Sequence, residues 1–328
     1  MRAQLAMLFS LASGALGCQL EPAVADTTGD VITTVETTYR AAGSWAVSHT
    51  TVTGASGAAL YELYYPTALG QNGFLHPLLT WGNGTGAAPA QYSQLLTHMA
   101  SWGFVVVASA SGAVGSGAEL LAGEDFLVAA NGQSTSAFFG KLDLTAIGAF
   151  GHSQGAGGTM RAMALANAAG SSHRAIRAAI TIELPAQKWI CFGSSDPNCS
   201  SAQRYDGLDI AQGSIFFVNG SKDTLISPST QSASTTGEQS NAAFYAAVPA
   251  GVPKAKATLT GADHNDIQDS CSGLSCAGVG PTGYLGYLTA WMRYRLLGDT
   301  TARAAFAGTA IEINQNTSWA NQAEASLP

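Results

Sequence analysis

"AFGHSQGAGGT", residues 149–159, sets a serine between glycines where a short apolar run gives way to a glycine-rich one. Either Ser153 is a nucleophile on a strained turn, or it is an ordinary serine in a structural glycine loop. The G-x-S-x-G pattern alone does not decide, because a chain with 38 Gly and many Ser yields on the order of 0.4 chance matches. The surroundings do. "AIGAF" (146–150) reads as a buried strand and "GGTMRAMALANAA" (157–169) as a helix, so the motif lies on a strand-to-helix turn. Such a turn strains the serine backbone until its oxygen projects above the sheet. It also brings strand and helix so close that a larger residue at Gly151 or Gly155 would clash.

An unassisted hydroxyl is a poor nucleophile at neutral pH, so this reading needs a histidine base and a carboxylate to orient it. "SIFFVNG" (214–220) is followed by "SKDTLISP", which puts Asp223 at a strand's carboxyl end. "AKATLTG" (255–261) is followed by "ADHND", which puts His264 at the next. Serine, aspartate, histidine is the chain order of α/β-hydrolase triads, and reacting groups of open α/β sheets gather at carboxyl ends of strands. The competitors have blander readings. His152 is expected to point away from the serine oxygen, His98 and His173 fall on predicted helix or loop surface, and His49 and His76 lie in or before early strands. Asp143 reads as a turn residue and Asp196 and Asp209 as loop residues. Asp263, Asp266 and Asp269 read as a solvated acidic loop, since their spacing matches no calcium site. No metal and no cofactor is expected.

A tetrahedral intermediate also needs donors for its oxyanion. The N–H of Gln154, at a helix N-terminus, is one expected donor. The other is the N–H of Asn83 in "TWGNGTG" (80–86), where Gly82 and Gly84 permit close backbone approach. A phosphate-cradling reading of this loop lacks the following Lys-Ser/Thr.

Outward from the motif, the chain alternates. "WAVSHTTV" and "AALYELYYP", separated by "TGASG", read as an antiparallel hairpin. "HPLLTWGN" and "FVVVAS" are buried strands flanking a helix with Tyr92, Leu95, Leu96, Met99 and Trp102 at helical spacing. Helix "GAELLAGEDFLVAAN", strand "AAITIEL", a helix near "EQSNAAFYAAV" and a closing helix "TGYLGYLTAWMRYRLLG" continue the pattern. Strands without polar alternation suit a sheet covered on both faces. The expected fold class is α/β: a doubly wound, mostly parallel sheet with an antiparallel N-terminal hairpin and helices on both faces.

Charged residues are only 11% of the 328, with a net charge of -7 and no Lys/Arg run, which argues against nucleic-acid or acidic-membrane partners. A monomer is expected. The first 25 residues, with Arg2 and an apolar run from Leu5 to Leu16, read as an export signal, so a secreted or periplasmic protein is expected. Two exits stay open: small-residue cleavage at Ala23-Val24-Ala25, or a lipoprotein box ending at Cys18, which would anchor the chain to a membrane. Residues 26–43 are Thr-rich and read as a polar linker or extended arm, and residues 44–328 as one catalytic domain. Export makes disulfides plausible for Cys191, Cys199, Cys271 and Cys276. Four cysteines allow three connectivities, of which the local pairs 191 with 199 and 271 with 276 are the most economical.

These segments together resemble an α/β-hydrolase of the cutinase-like polyester hydrolase group, which includes bacterial poly(ethylene terephthalate) hydrolases. The resemblance runs from "GSWAVSHTTV" and "LYELYYP" through "YSQLLTHMASWGFVVVAS", "GHSQGAGGTMRAMA" and "DTLISP" to "LTAWMRYRLLGDTTARAAF". It implies a serine carboxylesterase with Ser153, Asp223 and His264 as triad, the N–H groups of Asn83 and Gln154 as oxyanion donors, and an ester or polyester as substrate. Three departures alter the substrate clamp: Gln154 stands where the family has Met, Asn83 where it has an aromatic, and "LPAQKW" where it has Pro-Trp. Trp81 and Trp189 are then the candidates for apolar substrate walls. Other activities of the same fold (lipase, carbohydrate-ester deacetylase or thioesterase) and a non-catalytic binding role are the alternatives.

Overall fold

In the computed structural model, which describes residues 34–189, 205–271 and 275–328, strands and helices alternate along the chain. The order is α1 (Thr34–Arg40), β1 (Val47–Thr53), β2 (Ala59–Pro66), β3 (His76–Gly82), α2 (Ser93–Ser101), β4 (Val105–Ser109), α3 (Ala118–Gly132), β5 (Leu142–His152) and α4 (Gln154–Ala166). There follow β6 (Ala178–Ile182), β7 (Ile215–Gly220), α5 (Asn241–Ala247), β8 (Lys254–Leu259), α6 (Thr282–Leu297), α7 (Thr300–Arg303) and β9 (Trp319–Ala325).

All the strands join one nine-stranded sheet in the order β1-β2-β4-β3-β5-β6-β7-β8-β9. The hairpin β1–β2 is antiparallel, as is the contact of β2 with β4, whereas β4, β3 and β5 through β8 run parallel. Each strand-helix-strand crossover enforces that parallel pairing. The order reverses around β3, so the loops leaving β3 and β5 part above the sheet, where open α/β sheets form their clefts.

Both faces of the sheet are covered, which is why the central strands read as unbroken apolar runs. Leu79, Val106, Phe150, Ile180, Phe216 and Ala257 pack with Leu95, Leu96 and Met99 of α2 and Tyr284, Leu288 and Trp291 of α6. Their neighbours in sequence, Leu78, Val105, Ala149, Ala179 and Phe217, turn the other way onto Leu120 of α3, Met160 and Met163 of α4, and Phe244 of α5.

Three features depart from the sequence reading. Residues 34–40, read as part of a linker or arm, form a helix with Val35, Glu36 and Tyr39 buried. Polar contacts hold it: Glu312 accepts from the N–H groups of Val35 and Glu36, while Asn316 and Trp319 donate to the Glu36 carboxyl. β9 closes the sheet antiparallel to β8, although "WANQAEA" carries no apolar alternation and buries only Trp319. β5 begins at Leu142, so Asp143 belongs to the strand, and α4 begins at Gln154, directly after the serine. No helix among the described residues is long and apolar enough to cross a membrane.

Candidate active site

Ser153 caps β5 with φ 54 and ψ -119, a conformation that residues other than glycine rarely adopt. Its N–H donates to the carbonyl of Ile182 on β6 at 2.9 Å, and the chain turns at once into α4. Close packing enforces the flanking glycines. A Cβ on Gly151 would lie 2.3 Å from the Gly155 carbonyl oxygen, and one on Gly155 would lie 2.0 Å from that of Gly82. Only glycine at these places lets strand, helix and the loop after β3 meet.

Above the turn three side chains form a continuous relay. The Ser153 Oγ lies 2.9 Å from His264 Nε2, and His264 Nδ1 lies 2.6 Å from Asp223 Oδ2. Since a carboxylate only accepts, Nδ1 carries the ring proton and Nε2 is left to accept from the serine hydroxyl. Asp223 also accepts from the N–H groups of Ile226 at 2.9 Å and Ser227 at 3.0 Å. Burial raises its pKa, but the hydrogen bond and charge of His264 and the two N–H donors outweigh burial and hold the carboxyl below its ordinary value. Asp223 and His264 are buried, while Ser153 stays partly exposed to incoming substrate.

His152 spends both ring nitrogens on groups other than the serine, and it braces the site. Its Nε2 donates to the backbone carbonyl of His264 at 2.7 Å, and its Nδ1 accepts from Tyr92 Oη at 2.9 Å. Burial, followed by the neighbouring His264, pushes its pKa down to about 3, so the ring is neutral near pH 7. His98, read as surface, is buried and bonded to the Tyr39 carbonyl through Nε2; the helix α1 that covers it accounts for the difference.

The aspartates around His264 form an anchored turn rather than a solvated acidic loop. Asp266 is 0% exposed and accepts from the N–H groups of Asp263, Ala277 and Gly278. Asp269 accepts from Ser93 Oγ and the N–H of Gln94 at the start of α2, and Asp263 accepts from the N–H of His264. Asn265 donates to the Ser275 carbonyl, and the Cys271–Cys276 disulfide closes the same turn. Cys191, Cys199 and Asp196 lie outside the described residues, as do Cys18 and the expected signal.

The N–H groups of Asn83 and Gln154 donate to no group among the described residues. Asn83 is held by its side chain, which accepts from Trp81 Nε1 and donates to the carbonyls of Ser109 and Ser111. Its backbone lies against Gly155, beside the first turn of α4. The Gln154 side chain accepts from the Val114 N–H and so fixes the loop leading to α3.

The two tryptophans part company. Trp81 is no substrate wall: it is 0% exposed and packs on Tyr92 and Phe150, because strand β3 turns it into the core. Trp189 is partly exposed and donates to the Leu225 carbonyl at 2.7 Å, so it stands beside the loop of Asp223, where the Leu225 side chain is 61% exposed. Sequence reasoning passed over Glu183, whose signal is a lone carboxylate inside the apolar run "AAITIEL". Glu183, Asp223 and His264 are the one group among the described residues with enough converging ligand atoms to suggest a metal. The direct Nδ1 contact with Asp223 accounts for the pair without one.

Among known proteins, a family model described as PET hydrolase-like matches residues 29–189, a span that holds Asn83, Ser153 and Gln154 but neither Asp223 nor His264. No curated protein matches the chain. The mixed sheet with its reversal at β3, the strained serine between β5 and α4, and this family match lead to one assignment: the chain is an α/β-hydrolase whose residues 29–189 are similar to the PET hydrolase-like family.

Proposed function

We propose that the protein is an exported serine carboxylesterase that cleaves esters through an acyl-enzyme, with polyesters of the poly(ethylene terephthalate) type within its substrate class. The family match implies a hydrolase of ester bonds. The relay from Ser153 through His264 to Asp223 is the observation on which the serine mechanism rests. In the first half-reaction Ser153 Oγ attacks the ester carbonyl and its proton passes to His264 Nε2, while Asp223 holds the imidazole and stabilises its cationic form. The N–H groups of Asn83 and Gln154 receive the oxyanion, each worth roughly 3 kcal/mol in such sites. His264 then returns the proton to the departing alcohol, and a water activated by the same ring releases the acid. Trp189 and the exposed Leu225 supply apolar surface beside the relay for the acyl or aromatic part of the ester. The N-terminal leader and the Cys271–Cys276 bridge support export into an oxidising compartment.

The test is Ser153→Ala, assayed on soluble p-nitrophenyl esters and on a poly(ethylene terephthalate) film. Turnover is expected to fall by at least about 10³-fold with an unchanged melting temperature, along with loss of labelling by a fluorophosphonate. A native rate in this variant removes the serine from the mechanism. A wild-type protein active on soluble esters and inert on film removes the polyester.

A further inference from the structure

Glu183 follows β6, is 0% exposed, and holds φ 51, the left-handed region also occupied by Ser153. That conformation costs a residue with a Cβ about 1–2 kcal/mol, and such strain collects at functional sites. A carboxyl oxygen of Glu183, one of Asp223 and a ring nitrogen of His264 lie within 4.8 Å of one another. Tyr284 Oη on α6 donates to Glu183 Oε1 at 3.0 Å, while Oε2 is buried with no hydrogen-bond partner among the described residues.

Two buried carboxyls this close do not ionise together, so one proton is shared unequally between them. The partners decide where it sits. Asp223 accepts from two backbone N–H groups and an imidazole that carries charge during turnover, whereas Glu183 faces only neutral donors, the Tyr284 phenol and the backbone of Gly220. The charge therefore rests on Asp223 and the proton on Glu183. Burial, reinforced by the Asp223 charge, pushes the Glu183 carboxyl well above the usual range. The other titratable groups around this cluster are His264 and Asp266 after β8, His152 at the end of β5, and Tyr284 on α6.

We propose that Glu183 is a positioning residue that stays protonated through turnover and presents its O–H toward Asp223, drawing part of that carboxylate's charge away from His264. The inference rests on the triad reading above. A neutral acid at this place fixes the carboxylate's orientation and moderates how strongly it stabilises the imidazolium. An ionised one would add a second negative charge and do the reverse.

The test measures the pH dependence of kcat/KM on a soluble ester for the wild type, Glu183→Gln and Glu183→Leu. The low-field Nδ1–H proton resonance of His264 is followed in parallel, as a readout independent of turnover. Glu183→Gln keeps a neutral donor, and it is expected to hold the midpoint of the acid limb within about 0.3 pH unit and kcat within about threefold. Glu183→Leu removes the donor, and the midpoint is expected to rise by about 0.5–1 pH unit. A fall of about one unit in the Gln variant would reveal an ionised Glu183 and overturn the proposal, as would a Leu variant with the native midpoint. Should the Leu variant fail to fold, the Gln variant decides alone. Failure of the triad itself reads differently, as native turnover in Ser153→Ala whatever the acid limb does.

Discussion

Replacing Asp266 separates the strength of the fold from the placement of the base. Its carboxyl accepts three N–H groups, from Asp263 at 2.9 Å, Ala277 at 3.0 Å and Gly278 at 2.9 Å, and so ties the turn bearing His264 to the segment beyond the disulfide. Hydrogen bonds to a charged group contribute about 1.5–3 kcal/mol each when water has no access. Here Asp263 and Ala277 are only partly buried and Gly278 is exposed, so water recovers part of the loss. Asp266→Ala is therefore expected to cost about 2–4 kcal/mol in urea unfolding, and Asp266→Asn about 1–2, because the amide keeps an acceptor for Ala277 and Gly278 but opposes the Asp263 donor. The kinetic effect is the sharper one. Misplacing a reacting group by about 1 Å costs on the order of 10²-fold, so kcat in Asp266→Ala is expected to fall about 10–100-fold with KM changed less than threefold. Stopped-flow acylation with a p-nitrophenyl ester reads this directly. A variant that loses the stability but keeps kcat would mean that something other than this turn positions His264.

Two further outcomes test the frame. Glu124 on α3 is buried and accepts from the Arg174 N–H, and burial, offset by that bond, raises its pKa to about 7. Between pH 4.5 and 7 the unfolded chain releases a proton that the folded chain keeps, so stability falls as pH rises; Glu124→Gln should gain about 1–3 kcal/mol at pH 8 and almost nothing at pH 4.5, and equal gains at both pH values in urea unfolding would refute the assignment. Gly155→Ala forces a Cβ to within 2.0 Å of the Gly82 carbonyl, which is backbone and has no rotamer to yield; a loss of about 3 kcal/mol or more and a fall in kcat are expected, and a variant with native melting temperature would contradict the close approach.

What could be read in the chain and what could not differ in kind. The central strands announced themselves because residues such as Leu78 and Leu79, or Phe216 and Phe217, are buried on opposite faces. Ser153, Asp223 and His264 were legible for a related reason: each follows a strand, and the sheet fixes where strand ends go. β9 and α1 were not, since one buries a single tryptophan and the other is a seven-residue helix that buries only Val35 and Tyr39 as apolar groups and is otherwise held by the carboxyls of Glu36 and Glu312. Asp266 looked solvated because its partners are backbone N–H groups across the turn, which leave no trace in side-chain chemistry. Trp81 misled in the opposite direction, for a tryptophan beside the oxyanion loop invites a binding role until strand alternation turns it inward.

The imidazole of His152 has a consequence for the molecule as a whole. It is a rigid crossbar between the residue preceding the nucleophile and the main chain of the base, so hydroxyl and ring are held at a common spacing when the surrounding loops breathe. The same burial that makes it rigid makes it refuse a proton. From about 6.5 down to about 3, a denatured chain gains a charge there that the native one declines, and each step toward acid tilts the balance away from folding. Precision at the reacting centre and vulnerability to acid thus share one ring.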